Sequence, residues 1–491
     1  MESKTINGLS CRPLHVVAVP LPVQGHITPM FNFAKKLAAK GVTVTFVNTE
    51  ACYANITKAR NGEDPFSHAQ SLGLDIRSAQ ISDGLPLEFD RSLNAEEFIE
   101  SFETNMIPHV EELISHLKEE EPPVLCIIAD SFFVWLDRVA KKYGISHASF
   151  WTEAAMVFSI YYHWDLLVEN GHSPFVNKED DHENLINYIP GLSDLKTTDL
   201  PSYFQELDLS SRTHDILYEA FQSVRGADWI ISNTVEDLES RTIAELQSIK
   251  PFWSVGPLLP SAFQEDLNKE TSRTNMWPES DCTGWLDSKP ENSVIYISFG
   301  SYAHLSRAQI EEVALGLLES KQPFIWVLRP DIIASGIHDI LPEGFLEETK
   351  DKGLVVQWSS QLEVLSHPSV GGFLTHCGWN SILESLSSGV PMLAFPLFTD
   401  QCTNRWLIVE EWGVAMDLAG NSGSFQNYKP LVGREEIART LKKFMGEEEG
   451  RKLRLKVKPI REVLKKAMLD SGTSNKNLDL FVEALRAKNH T

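Results

Sequence analysis

The apolar positions of this chain fall into short, strand-length runs separated by segments of helical period. Leu14–Val19 is a valine-rich apolar run, suited to a parallel strand buried on both faces. Thr28 and Pro29 then read as an N-cap and first helical position. The helix continues through residues 35–39, Gly41 closes it, and residues 42–47 form the next strand. A second βαβ unit follows at residues 124–129 (strand), about 133–143 (helix), Gly144 and 147–150 (strand). The first half is therefore an open α/β sheet.

Between residues 255 and 281 the sequence turns to Pro, Ser, Asn, Thr and Glu with little periodicity, as an interdomain linker does. The α/β alternation then resumes, with strands at 294–298, 323–328, 353–356, 371–374 and 392–395 and helices at 307–319 and 381–387. Basic-rich residues 451–466 and the stretch 475–488 read as further helices. The expected organisation is two Rossmann-like domains facing a cleft, at residues 1–254 and 282–460, with closing helices at 461–491. A chain of 491 residues has room for two such domains.

A net charge of −24 argues against nucleic acid or an anionic membrane as a partner, since either needs clustered basic surface. The six cysteines include no Cys-x-x-Cys pair and read as reduced thiols. No run approaches the 18 apolar residues of a membrane span and the first residues are polar, so a cytoplasmic location without membrane insertion is expected.

In doubly wound sheets, ligands bind outside the carboxyl ends of the strands. His26, Asp130 and Thr152 each fall at such an end in the first domain, and Ser301, Trp358, His376 and Asp400 at the corresponding edge of the second. A substrate touching both sets sits in the cleft. His26 is suited to act as a general base, because it adjoins a helix start whose dipole disfavours a cationic ring. Asp130 can orient it by accepting from the other ring nitrogen, or can serve as an N-cap for the helix that follows.

One block, Trp358 to Gln401, is dense in groups that stack, donate or accept hydrogen bonds, yet has no Lys or Arg. Any diphosphate there must be held by helix dipoles and histidine. Its Trp358, Gln361, His376, Gly378, Trp379, Asn380, Ser381, Glu384, Asp400 and Gln401, with Gln24-Gly25-His26 and the segment Ser298 to Ser301, closely resemble the signature of the plant family 1 UDP-sugar glycosyltransferases.

That resemblance implies the GT-B fold, with the last helix crossing back to the first domain. It implies His26 and Asp130 as the catalytic pair. Trp358 would stack on uracil, beside Gln361 and the backbone of Ser359. Glu384 would take the ribose hydroxyls. Ser301, His376 and the helix start at Asn380 and Ser381 would hold the diphosphate, and Gly25 would complete the donor site. Trp379, Asp400, Gln401 and Thr152 would face the sugar. Gln401 points to glucose, since galactose-preferring relatives tend to carry His there.

The chain has no Asp-x-Asp, so metal independence is expected, and no Gly-x-Gly or Gly-Lys, which removes the dinucleotide and P-loop fingerprints. The expected activity is inverting transfer of glucose from UDP-glucose to a hydroxyl of a small lipophilic plant metabolite, flavonoids and other phenolics first, terpenoids and hormones next. A carboxylate acceptor, a UDP-sugar epimerase or hydrolase, and a non-enzymatic UDP-sugar-binding protein are the alternatives. Residues 156–167 either line an acceptor pocket or form an ordinary buried helix. Residues 81–89 and 178–183 resemble the regions that shape acceptor choice. No cofactor is implied, and a monomer is expected.

Overall fold

The computed structural model describes residues 13–172, 185–205, 212–259, 274–329, 340–418, 431–446 and 448–488. It contains two all-parallel sheets. The first is built from β1 (Leu14–Val19), β2 (Val42–Thr49), β3 (Ile76–Ile81), β4 (Cys126–Asp130), β5 (Ser146–Trp151), β6 (Trp229–Ser232) and β7 (Phe252–Ser254), in the order β3-β2-β1-β4-β5-β6-β7. The second holds β8 (Val294–Ser298), β9 (Phe324–Val327), β10 (Gly353–Val356), β11 (Val370–Thr375), β12 (Met392–Ala394) and β13 (Ala415–Asp417), ordered β10-β9-β8-β11-β12-β13.

Why these runs are strands is visible in their burial. Val16 and Ala18 of β1 face one apolar core and Val17 and Val19 the other, so the two-residue period places every second side chain in a different layer. Ile295 and Ile297 of β8 alternate with Val294 and Tyr296 in the same way. A run with apolar residues on both faces is stable only with helices above and below, which fixes the three-layer domain.

Both sheets reverse strand order once, between β1 and β4 and between β8 and β11. The crevice at such a reversal is where doubly wound proteins bind ligands. The residues after β1, β4, β8 and β11 are therefore the ones that the topology brings together.

The first helix spans Gln24–Ala39, with Val23 as N-cap, so it begins earlier than the Thr28-Pro29 pair suggested. Pro29 lies inside the helix and cannot donate to the carbonyl of Gly25. That carbonyl instead accepts from Asn380 Nδ2 of the second domain at 2.6 Å. The helix after β4 starts at Leu136, so Asp130 does not cap it; Asp130 Oδ1 accepts from the N–H of Phe132 in a local turn at 3.1 Å.

The final helix, Thr473–Lys488, returns to the first sheet, where Phe481 packs against Phe33, Trp229 and Trp253 with ring centroids 5.5–6.1 Å apart. Phe481→Ala removes a fully buried ring. It should cost about 3–5 kcal/mol of unfolding free energy, read from denaturant melts against the unsubstituted protein.

Candidate active site

His26 is the third residue of the first helix, presented at the end of β1 beside the end of β4. Its Nδ1 lies 2.6 Å from Asp130 Oδ2 and 3.1 Å from Thr152 Oγ1. Asp130 is buried, with 1% of its side chain exposed, whereas 15% of the His26 side chain reaches the cavity. A proton on Nδ1, donated to Asp130, leaves Nε2 as the atom able to accept one. The edge of the Phe132 ring packs against the imidazole at a centroid distance of 5.8 Å and helps fix its plane.

His26 lines a cavity of about 930 Å³ that continues across the cleft to Trp358, Gln361, His376, Glu384, Asp400 and Gln401. That volume suits a drug-sized ligand or a nucleotide sugar with an acceptor. Among the described residues that line it there is no Lys or Arg.

The donor half is built around the helix Trp379–Ser388. Its N-cap is Gly378, which has no side chain to cap the first turn, so the leading N–H groups stay open to an anion. The ring of His376 fills the space beside this helix start. A Cβ on Gly300 or on Gly378 would collide with its Nε2, and Gly300 also has φ of +76°. Burial, with the Arg329 charge nearby, lowers the His376 pKa to about 4 and keeps the ring neutral.

Deeper in, Gln361 Nε2 donates to Ser381 Oγ at 2.8 Å and to Glu384 Oε2 at 2.6 Å. Burial raises the Glu384 pKa to about 7, against the lowering effect of the Gln361 bond. Trp358 lines the cavity and stacks on Trp277 with centroids 4.9 Å apart. Ser359 is buried with its hydroxyl 3.1 Å from that of Tyr296, so only its backbone is available. Ser301 lies in the loop after β8, on the cavity wall.

Two residues of the block spend side-chain donors within the protein. The side chain of Asn380 does not point its donors at an anion: Nδ2 bonds the Gly25 carbonyl, and Oδ1 accepts from Asn233 Nδ2 at 3.2 Å. Its backbone N–H is what it offers. Trp379 lines the cavity, but its indole N–H is spent on the Asn233 carbonyl at 2.7 Å. Gly25 serves through its carbonyl. At the far end, Gln401 Oε1 accepts from the N–H groups of Leu397 and Phe398 at 2.8 and 3.2 Å, and its amide NH₂ is left for a ligand. Asp400 accepts from Thr399 Oγ1 at 2.7 Å and from Asn404 Nδ2, and burial raises its pKa.

The apolar half is lined by Phe98, Ile99 and Phe102 of the helix Ala95–Thr104, Phe132, and Ile216 and Leu217 of the helix Arg212–Gly226. None of these was singled out from sequence. The usable signal was the Phe98–Phe102 pair at i,i+4 in an otherwise acidic segment. Residues 156–167 are buried helix, with Tyr161 alone among them on the cavity wall. Residues 81–89 do not line the cavity; Asp83 there is tied to Arg91 at 2.8 Å. Residues 178–183, Cys11 and part of the linker lie outside the described residues. The other five cysteines are buried and form no disulfide. His367 bonds Ser369 at 2.8 Å and Asp287 at 3.1 Å. No helix among the described residues is long and apolar enough to cross a membrane.

A His–Asp pair on one side of the cavity thus stands opposite an open helix start on the other, across the cleft of two parallel α/β domains. Residues 210–422 match the family model for UDP-glucoronosyl and UDP-glucosyl transferase, and residues 12–129 that for the glycosyltransferase N-terminal domain. The chain is 43% identical to UDP-glycosyltransferase 86A1 of Arabidopsis thaliana, over 98% of this chain and 96% of that one. It is 36% identical to 7-deoxyloganetin glucosyltransferase of Gardenia jasminoides, over 96% and 98%. The structure of UGT2 from Phytolacca americana complexed with UDP-2fluoro-glucose and pterostilbene superposes with a TM-score of 0.77 at 30% identity, covering 96% of this chain and 99% of that one. The chain belongs to the plant UDP-glycosyltransferase family, and its fold is GT-B.

Glu384 supplies a pH test. A folded-state pKa near 7, above the ordinary 4.5, gives the unliganded protein a stability contribution that is full below 4.5 and lost as pH rises through about 7. Ribose hydroxyls donating to the carboxylate favour its ionised form. UDP-glucose affinity, measured calorimetrically between about pH 5.5 and 8.5, should therefore strengthen with rising pH, by at most about tenfold per unit below the midpoint. Glu384→Gln should flatten the profile; an unchanged slope would assign it elsewhere.

Proposed function

We propose that this chain transfers glucose from UDP-glucose, with inversion at the anomeric carbon, to a neutral hydroxyl of a small lipophilic plant metabolite. UDP-sugar glycosyl transfer is the activity of the family; the sugar, the acceptor class and the residue roles are the reading offered here. The observation that carries it is the His26–Asp130 pair, 2.6 Å apart, at the seam between the apolar and polar halves of one cavity.

In this reading the acceptor hydroxyl lies against His26 Nε2, its lipophilic body among Phe98, Phe102, Phe132 and Ile216. His26 takes the hydroxyl proton as the oxygen bonds to C1 of the sugar. The bond from C1 to the diphosphate breaks on the opposite face, and UDP leaves with the electron pair. Asp130 accepts from Nδ1–H and stabilises the imidazolium formed, which afterwards returns its proton to solvent. Backbone N–H groups at the start of the helix Trp379–Ser388, with His376 and Ser301, carry the diphosphate without a metal ion. Trp358, Ser359 and Gln361 hold the base and Glu384 the ribose. Thr152, Trp379, Asp400 and Gln401 surround the sugar.

Glucose is supported by Gln401 and by the glucose donor analogue in the Phytolacca neighbour. Phenolics lead among acceptors, since that neighbour holds pterostilbene, and terpenoid alcohols follow, given the 7-deoxyloganetin relative. A carboxylate acceptor is disfavoured: the cavity wall has, among its described residues, no Lys or Arg to pair with an anionic acceptor.

The test is product mass spectrometry after incubation with UDP-glucose and a panel of flavonols, simple phenols, terpenoid alcohols and aromatic acids, without added metal. A hexose on a hydroxyl supports the reading; UDP and free glucose alone would refute transfer. His26→Ala should lower turnover by about 10²- to 10⁴-fold. The Kd for UDP should hardly change, and undiminished turnover would reject His26 as the base.

A further inference from the structure

Glu153 follows Thr152 directly, two residues before the helix Ala155–Tyr162. An acid at that place is ordinarily a helix cap. Here the cap comes from elsewhere: Glu239 accepts from the N–H of Ala155 at 3.0 Å and of Met156 at 2.8 Å. Glu153 is thereby released from any duty to the backbone. It lines the cavity, and its Oε2 is buried with no hydrogen-bond partner in the protein. A buried carboxyl oxygen left unpaired is costly, which marks it as a group whose partner arrives with a ligand.

What that ligand offers is constrained by the neighbours. Burial first, and then the charges of Asp400 of the second domain and Asp130 of the first, hold the Glu153 pKa well above the usual carboxylate range. Asp400 and Gln401 line the same cavity as Glu153, from the second domain. A cation is not the only solution for two facing carboxyl groups. An uncharged ring with adjacent hydroxyls, as a hexose has, can donate to one and accept from the other.

Resting on the glycosyl-transfer reading above, we infer that Glu153 is a specificity-determining residue that hydrogen-bonds a hydroxyl of the transferred sugar, from the first domain and opposite Asp400. Sugar discrimination then belongs to both domains. Donors with the same nucleotide but a differently hydroxylated sugar are sorted before the acceptor hydroxyl reaches His26.

The experiment compares UDP-glucose with UDP by calorimetry on the full chain, together with the KM of whichever acceptor the product screen yields. Glu153→Ala should weaken UDP-glucose binding by about 10- to 100-fold, the effect of leaving a buried hydroxyl without its partner. UDP binding and acceptor KM should stay within about twofold, since neither involves the sugar. Glu153→Gln, which keeps one donor and one acceptor, should recover most of the loss and guards against misfolding. An equal loss for UDP and UDP-glucose, or an effect confined to acceptor KM, overturns the assignment while leaving the transfer reading intact. If the unsubstituted protein binds neither nucleotide, both fall together.

Discussion

Hydrogen bonds between the domains hold the histidine end of the cleft. Pro29 withholds an N–H from the first helix, the carbonyl of Gly25 is left open, and Asn380 fills it from the second domain at 2.6 Å. Asn233 then ties the same Asn380 and the indole of Trp379 to the sheet that bears His26. The start of the helix Trp379–Ser388 and the helix turn that carries the histidine are therefore tied to each other. Neither half of the site is placed by its own domain alone.

A second tie lies at the other end of the cleft. Ser202 and Thr399 exchange backbone and side-chain bonds at 2.9 and 2.8 Å, and Thr403 donates to the Asp199 carbonyl at 2.7 Å. Arg405, buried, pairs with Asp417 at 2.7 Å and with Asp199 of the first domain at 3.4 Å. Asp400 and Gln401 sit between these bonds. The sugar end of the cavity is thus anchored in both domains, while the apolar end is walled by helices of the first domain.

Most of the sheet architecture was legible because strands buried on both faces announce themselves as apolar runs; Leu14–Val19 and Val294–Ser298 coincide with the strands observed. The convergence of His26, Asp130 and Thr152 was legible because strand ends in parallel sheets share one edge. The start of the first helix was not, because Pro favours a first-turn position and Val23-Gln24-Gly25 carries no side-chain cap to mark an earlier one. The partner of Asn380 was also hidden: a residue's nearest neighbour in another domain leaves no local pattern. For the same reason Phe98, Ile216 and Glu153, remote in sequence from the dense block, surfaced only when the topology folded them onto one wall.

The absence of Lys and Arg from the described cavity lining bears on turnover as well as on binding. An anion held there by backbone dipoles and a neutral imidazole would touch no Lys or Arg of the cavity wall, Arg329 acting only from behind His376. Binding there would depend on ionic strength less than at a site walled by lysines and arginines. The spent nucleotide would then leave without breaking a salt bridge to the cavity wall.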